Sequence, residues 1–272
     1  GAGSMKPDLL KSQIIKAQTK TKKSLAVNIP IFSKYADDQI RIAVEQGIKI
    51  IITSAGSPKK YTSYLKENGC KVIHVTSSLT LAKKCEDAGV DAIVIEGFEA
   101  GGHNGRDETT TLTLIPMVKE QLDIPLIAAG GIANGKSMLS VMILGADGVQ
   151  VGSRFVATPE ASSHQNFKDL VVKAKEGDTQ LTLKELAPVR MLKNKFFNQV
   201  IELYSKNPSK EDLIELLGRA RAKKGMFEGD LDDGELEIGQ ISGLIHDIKP
   251  AGKIVEDMVS EFKEAKEKLP TF

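Results

Sequence analysis

One unit recurs through the first part of the chain, up to residue 155: a polar-faced helix that ends in glycine, followed by a short apolar strand. Gly47, Gly69 and Gly89 end three of these helices, at intervals of 22 and 20 residues. Glycine is favoured at a helix end because it adopts the left-handed conformation without steric cost. The strands are rich in isoleucine and valine without polar alternation, as strands are when helices cover both faces of a parallel sheet. The repeat therefore predicts an α/β fold with right-handed crossovers.

The repeat also places the individual elements. Strands are predicted at about 25–29, 49–54, 71–76, 92–96, 125–129 and 148–152. Helices are predicted at 7–20, 35–46, 59–68, 79–88, 111–122 and 135–144. Doubly wound sheets and closed barrels both satisfy this alternation, so the pattern alone leaves both open.

The strand pattern stops after residue 155. Residues 160–235 have the composition of helices and loops, and an amphipathic helix is predicted over 249–268. The chain is accordingly divided into a barrel core, a helical cap and a C-terminal segment that packs on the barrel, at 1–158, 159–238 and 239–272.

Composition argues against several classes of partner. The 37 basic and 36 acidic residues leave a net charge of +1, which gives no reason to expect nucleic acid or an anionic membrane. No apolar run approaches the roughly 20 residues that span a bilayer. Cys70 and Cys85 lack metal-ligand spacing and are interpreted as reduced thiols. We therefore expect a cytoplasmic protein without a metal site.

Two glycine-containing segments directly follow neighbouring strands. Gly130 and Gly131 follow one strand, and Gly152 and Ser153 follow the next. Glycine lets the backbone approach a ligand closely, and main-chain N–H groups at strand ends bind anions. A single such segment would be explained as a tight turn, but two at adjacent strand ends favour a phosphate site.

His103 stands in a glycine-rich segment after a predicted strand, on the rim where parallel α/β folds bind ligands. There it can exchange a proton near neutral pH. His74, His164 and His246 lie within a predicted strand or in helical and irregular stretches, and structural roles are expected for them.

Asn28 and Gln150 are weaker candidates. Asn28 follows a short predicted strand, where its amide either bonds a heterocycle or closes a turn. Gln150 lies within the last predicted strand and needs a polar partner if it points inward, which a bound ring would supply.

Three segments together resemble the signature loops of the nitronate monooxygenase (2-nitropropane dioxygenase) family, which includes the FMN-dependent enoyl-[acyl-carrier-protein] reductase II. They are Glu99–His103, Ala128–Ile132 and Gln150–Phe155. The resemblance extends to Val27–Asn28 and to the segment from Gly239 to Ile245. Each motif alone is modest, but their order and spacing are highly specific.

The resemblance implies a TIM (β/α)8-type barrel that binds FMN. It places the FMN phosphate on Gly130, Gly131, Gly152 and Ser153. It places the ribityl chain and the flavin ring beside Asn28, Glu96, Gly101 and Gln150. His103 would be the catalytic residue that faces the substrate.

The resemblance fits two subfamilies, and the residue at position 96 distinguishes between them. Nitronate monooxygenases usually carry glutamine at this position, whereas the enoyl reductases usually carry glutamate. The sequence therefore favours an NAD(P)H-dependent enoyl-[acyl-carrier-protein] reductase of fatty acid biosynthesis. The alternatives are a nitronate monooxygenase that uses FMN and O₂, a flavin-free barrel that binds a sugar phosphate, and an inactive fragment.

The opening segment, residues 1–7, resembles the end of the second strand of the family barrel. The sequence thus predicts a barrel that lacks its first strands in this chain. The basic stretch Arg219–Lys224, together with Lys193 and Lys195, would attract an acidic carrier protein or a cofactor phosphate. A solvated helix face explains this stretch equally well. A homodimer is left open.

Overall fold

The computed structural model describes residues 1–3 and 5–270. Ser4, in the predicted opening segment, and residues 271–272, in the predicted segment 239–272, lie outside the described residues. The strands are β1 (Ala26–Pro30), β2 (Ile50–Ser54), β3 (Lys71–Thr76), β4 (Ala92–Glu96), β5 (Gly102–His103), β6 (Leu126–Ala129), β7 (Gly148–Gln150), β8 (Thr179–Thr182) and β9 (Val189–Leu192).

The helices are α1 (Pro7–Lys20), α2 (Ala36–Glu45), α3 (Thr62–Glu67), α4 (Leu79–Asp87), α5 (Thr111–Lys119), α6 (Gly135–Ile143), α7 (Ser153–Val156), α8 (Gln165–Val171), α9 (Lys195–Tyr204), α10 (Lys210–Leu217), α11 (Arg221–Met226) and α12 (Ala251–Glu267). A helix precedes each of the first seven strands except β5, which follows β4 directly, and β8 and β9 lie between α8 and α9. Short 3₁₀ turns occupy Pro58–Lys60 and Gln240–Leu244. Within the described ranges, none of these helices is long and apolar enough to cross a membrane.

The main sheet confirms the α/β prediction. Among the described residues it has six strands in the order β1-β2-β3-β4-β6-β7. The pairs β1–β2, β2–β3 and β3–β4 are parallel, with Ala26 opposite Ile50 at the start of the first pair. β4 is buried at four successive residues, whereas β1, β2 and β3 alternate between more and less buried positions. One face of those three strands is thus less covered than the unalternating sequence predicts.

Asn28 lies within β1 rather than after it. The strand continues to Pro30, which pairs with Ser54 of β2. The predicted strand at 25–29 agrees with β1 to one residue at each end, but the placement of Asn28 after the strand is wrong. The strand extends to Pro30 because proline is tolerated on a strand at the edge of a sheet.

The prediction that no strand follows residue 155 is also wrong. In the part of the chain that the structure describes, β5, β9 and β8 form an antiparallel sheet in that order. Its strands have only two to four residues each, too few to show a period. The sheet is fixed by a long-range contact, because the buried Arg190 of β9 donates hydrogen bonds to the Phe98 carbonyl at 3.0 and 3.2 Å.

The chain divides into two compact units. The first comprises Gly1–Ile95 and Pro116–Ile127, and the second comprises Glu96–Ile115 and Ala128–Phe272. Ile29, Ile51 and Ile93 are fully buried in the first unit. Among its described residues, the second unit has one apolar cluster around Phe167 and Ile238 and another around Phe196 and Met191. The three-part division at residues 158 and 238 stays a prediction.

Helix α12 packs on α6 within the second unit. Ile254 and Met258 are buried on its apolar face, as the amphipathic pattern predicts. The two helices approach closely at Gly135, where an added Cβ would collide with backbone atoms of Met258 and Phe262. Glu261 also accepts a hydrogen bond from the Gly135 N–H at 2.9 Å, which satisfies a donor at the start of α6.

Candidate functional site

A cavity of about 240 Å³ lies wholly in the second unit. Its walls come from the segments that follow β4 and β6, from the end of β7 and from the segment around Glu237–Ile241. The predicted site residues that line it are Glu96, Gly101, Gly130, Gly131, Gln150, Gly152 and Ser153. Residues far apart in sequence thus meet in one place, because the strand ends position them there.

Two predicted site residues are not among those that line the cavity. Asn28 belongs to the first unit, and its carbonyl accepts a hydrogen bond from the Ala2 N–H at 2.8 Å. His103 is exposed on β5, two residues after the cavity-lining Gly101. His103 lies in the short strand β5 and not in an irregular loop, because β5 pairs with β9 and places His103 opposite Val189.

The glycines of the cavity fall into two kinds. Gly130 and Gly131 have φ angles of +87° and +71°, which favour glycine over residues with a side chain. A Cβ on Gly130 would also come within 2.8 Å of the Gly97 carbonyl oxygen. Gly152 is different, because its φ is −109° and an added Cβ would meet nothing within 4 Å. The backbone itself does not require glycine at 152, and the open space there lets a ligand approach the main chain.

Ser153 presents a hydroxyl at the same wall. Its Oγ accepts a hydrogen bond from the Gly239 N–H at 2.9 Å, so the hydroxyl proton remains available to a ligand. Gly239 is held nearby because Gly101 has no Cβ: a side chain there would collide with the backbone of Ile238 and Gly239. Gly101 is thus needed for packing as well as lining the cavity.

Three carboxylates also line the cavity, and sequence reasoning assigned a role to Glu96 alone. Burial raises the pKa of Glu96 to about 7, because a low-dielectric environment disfavours the charged form. Glu99 accepts hydrogen bonds from the Thr111 N–H and hydroxyl at 2.9 to 3.1 Å, at the start of α5. Burial raises the pKa of Glu237, and the nearby charge of His103 opposes that rise.

The described residues that line the cavity include no lysine or arginine. Arg154, directly after Ser153, instead pairs with Asp247 at 2.5 Å. An anion bound here would depend on neutral N–H and O–H donors, as in many sites built from main-chain amides.

Three of the six predicted basic residues pair with acids. Lys224 contacts Asp230 at 2.9 Å, Lys223 contacts Glu228 at 2.5 Å, and Lys195 contacts Asp233 at 3.5 Å. These pairs reduce the positive field that would attract an acidic carrier protein, so its docking here stays a prediction.

The other predicted structural residues have structural contacts. His74 lies 2.7 Å from the Thr53 hydroxyl, and burial lowers its pKa to about 4. His164 accepts a hydrogen bond from the Asn166 N–H at the start of α8, whereas His246 is exposed. Cys70 and Cys85 are buried and free. Across residues 1–3 and 5–270, no group of three or more histidine, cysteine or acidic residues could hold a metal ion.

Comparison with known proteins places this chain in a family. The sequence model described as nitronate monooxygenase matches residues 1–261. The structure of FabK from Thermotoga maritima superposes with a TM-score of 0.91 at 42% identity, covering 98% of this chain and 85% of that one. Nitroalkane oxidase from Streptomyces ansochromogenes superposes with a TM-score of 0.82 at 25% identity, covering 99% and 89%. These matches confirm the predicted TIM-barrel-type α/β class.

Curated relatives with similar sequences carry the same family name. A probable nitronate monooxygenase from Staphylococcus saprophyticus is 30% identical over 84% of this chain. The chain spans 66% of that protein and 58% of a relative of the same name from Staphylococcus aureus. The family match over residues 1–261 and the shared fold lead to one conclusion: the chain belongs to the nitronate monooxygenase family.

Proposed function

We propose that this chain carries the FMN site of an NAD(P)H-dependent enoyl-[acyl-carrier-protein] reductase. The convergence of Gly130, Gly131, Gly152 and Ser153 on one cavity is the observation that carries the FMN assignment. The higher identity to FabK than to the nitronate monooxygenases, 42% against 30%, favours the reductase, as does glutamate at position 96.

The cavity fits the phosphate end of FMN. The open space at Gly152 admits a phosphate oxygen to the main chain, and the Ser153 hydroxyl has a proton to donate. With its pKa near 7, Glu96 is substantially protonated at neutral pH and can donate a hydrogen bond to a flavin or ribityl oxygen. Gln150 supplies an amide to the same space.

The reaction needs a hydride, a proton and an enoyl thioester. Held at Gly130, Gly131, Gly152 and Ser153, FMN would supply the redox chemistry that links hydride donation by NAD(P)H to reduction of the enoyl β-carbon. The α-carbon must then take a proton, and the exposed imidazole of His103 is the proposed donor. The products are NAD(P)⁺ and the saturated acyl thioester.

Nitronate monooxygenase activity is the second candidate. It is favoured by the family model and by the names of the staphylococcal relatives. A protonated Glu96 carboxyl both donates and accepts hydrogen bonds, as the glutamine usual in that subfamily does. Protonated Glu96 is therefore also compatible with the second candidate, and the glutamate supports the reductase less strongly than the identity to FabK does.

Anaerobic mixing separates the two candidates. We expect NADH or NADPH to bleach the visible flavin bands rapidly, and a short enoyl thioester to restore them. Bleaching by an alkyl nitronate but by neither nicotinamide would overturn the reductase assignment in favour of the monooxygenase. The His103→Ala variant should retain its flavin and turn over slowly. Loss of flavin in this variant would instead assign His103 to cofactor binding.

A further inference from the structure

Thr111, the buried first residue of α5, bonds the turn that carries part of the proposed phosphate site. Its hydroxyl donates to the Gly130 carbonyl at 3.1 Å. The same hydroxyl lies 2.9 Å from Glu99 Oε2, and the Ala129 carbonyl is farther away at 3.4 Å. Glu99 also accepts the Thr111 N–H at 3.0 and 3.1 Å, so the carboxylate keeps a donor while the hydroxyl proton points to Gly130.

Missing side chains make room for Thr111 beside the turn. A Cβ on Gly97 would collide with the Thr111 hydroxyl oxygen, and a Cβ on Gly130 would lie 3.2 Å from it. The Gly97 N–H donates to the Ala129 carbonyl at 2.9 Å. The hydroxyl is thus enclosed between the segments that follow β4 and β6, where the surrounding backbone fixes its position.

The peptide between Gly130 and Gly131 needs such an anchor. Both residues have positive φ, and neither has the Cβ that restricts rotation of the backbone elsewhere. In a planar trans peptide the C=O and the following N–H point in opposite directions. A hydrogen bond that holds the Gly130 carbonyl on Thr111 therefore also directs the Gly131 N–H away from Thr111. Gly131 lines the cavity, whereas Thr111 is not among the residues that line it.

We propose that Thr111 is a positioning residue for the phosphate site, whose hydroxyl holds the Gly130–Gly131 peptide so that the Gly131 N–H faces the FMN phosphate. The inference rests on the FMN site proposed above. Main-chain N–H groups bind anions, but a rotated peptide would turn the Gly130 carbonyl oxygen toward the phosphate, and a carbonyl has no proton to donate. A hydroxyl that does not touch the phosphate thus determines whether the turn can bind it.

Comparing FMN with riboflavin tests this role, because riboflavin is the same flavin without the phosphate. Both flavins are titrated by fluorescence into flavin-free wild type and into Thr111→Val, which keeps the shape of the side chain and removes the hydroxyl. We expect the ratio of FMN affinity to riboflavin affinity to fall about tenfold in Thr111→Val, with riboflavin affinity within about twofold of the wild type. Thr111→Ser, which keeps the hydroxyl, should recover most of this ratio.

Thr62→Val is the matched control. Thr62 is likewise the buried first residue of a helix, α3, and its hydroxyl donates to the Pro58 carbonyl at 2.6 Å. This variant loses a comparable hydrogen bond away from the turn, so its preference for FMN over riboflavin should equal that of the wild type.

The outcomes that contradict the inference differ from those that contradict the proposed function. A wild-type preference for FMN that persists in Thr111→Val would overturn the positioning role and leave the FMN site intact. Equal loss of both flavins in Thr111→Val would also overturn it, since Thr111 would then support the cavity as a whole. A wild type that binds FMN no better than riboflavin would contradict the phosphate site, and the proposed function and the inference would fail together.

Discussion

At the scale of single residues, burial changes what the carboxyl groups of the cavity can do. Glu96 lines the cavity, and its pKa is raised to about 7 by desolvation. Below that pH the carboxyl is neutral and can donate a hydrogen bond, whereas above it the carboxylate adds negative charge to the cavity proposed to hold the anionic cofactor. The protonation of one side chain therefore connects the pH of the solution to the affinity for an anionic cofactor.

Replacing Glu96 tests this connection. We expect the wild type to lose about threefold to tenfold in FMN affinity between about pH 6 and about pH 8, as the carboxylate forms. Glu96→Gln cannot ionise, so it should show a smaller loss that reflects only the titration of the FMN phosphate. Fluorescence titration at each pH measures both affinities. If the FMN affinities of the wild type and Glu96→Gln fell equally with pH, ionisation of Glu96 would not affect cofactor binding.

At the scale of elements, the helices illustrate two opposite consequences of glycine. Gly135 begins α6 where the backbone of α12 leaves no room for a Cβ. Gly252 lies in the first turn of α12, and an added Cβ would meet nothing within 4 Å. The first glycine is required by packing, whereas the second only weakens its own helix.

The two positions predict opposite changes in stability. Gly135→Ala should lower the free energy of unfolding by about 1 to 3 kcal/mol through overpacking against α12. Gly252→Ala should raise it by about 0.5 to 1 kcal/mol through higher helix propensity. Urea unfolding of both variants measures the changes. A Gly135→Ala variant as stable as the wild type would mean that α6 and α12 do not pack closely at this point.

Elements built from local repeats were predictable, and elements built from distant contacts were not. Helix α1 was predicted at its observed bounds, 7–20, and most strands of the main sheet within one or two residues. The β5–β9–β8 sheet was missed because its pairing joins residues 102–103 to residues 189–190. Glu237 was missed for the same reason, since its bridge to Met191 of that sheet is a long-range contact that the sequence does not show. The adjacent Gly239–Gln240, part of the resemblance, was the one signal that pointed to this segment.

At the scale of the whole molecule, a buried acid makes stability depend on pH. Glu235 is 6% exposed, and burial, with a smaller contribution from Glu237, raises its pKa from 4.5 to about 7. The pKa of Glu235 is higher in the folded state than in the unfolded chain, so the proton on Glu235 stabilises the folded state. This stabilisation is fully present below about pH 4.5 and is lost progressively as the pH rises to about 7.

Removing this charge should stabilise the protein in alkaline solution. Glu235→Gln is expected to raise the free energy of unfolding by an amount on the order of 3 kcal/mol near pH 8. The gain should be much smaller near pH 5, where the folded protein already carries Glu235 protonated. Urea unfolding at the two pH values measures the difference. A variant less stable than the wild type at both would indicate that Glu235 makes a favourable ionic contact.

The central claim for the whole molecule is that main-chain groups around Gly152 hold the phosphate of FMN. FMN titration into flavin-free protein, followed by flavin fluorescence, tests it with the wild type, Gly152→Leu and the distant control Gly252→Ala. The wild type and Gly252→Ala should bind one FMN with equal affinity, and Gly152→Leu should bind at least about tenfold more weakly, since its side chain fills the open approach. Equal affinity in all three proteins, or no binding by the wild type, would contradict the account.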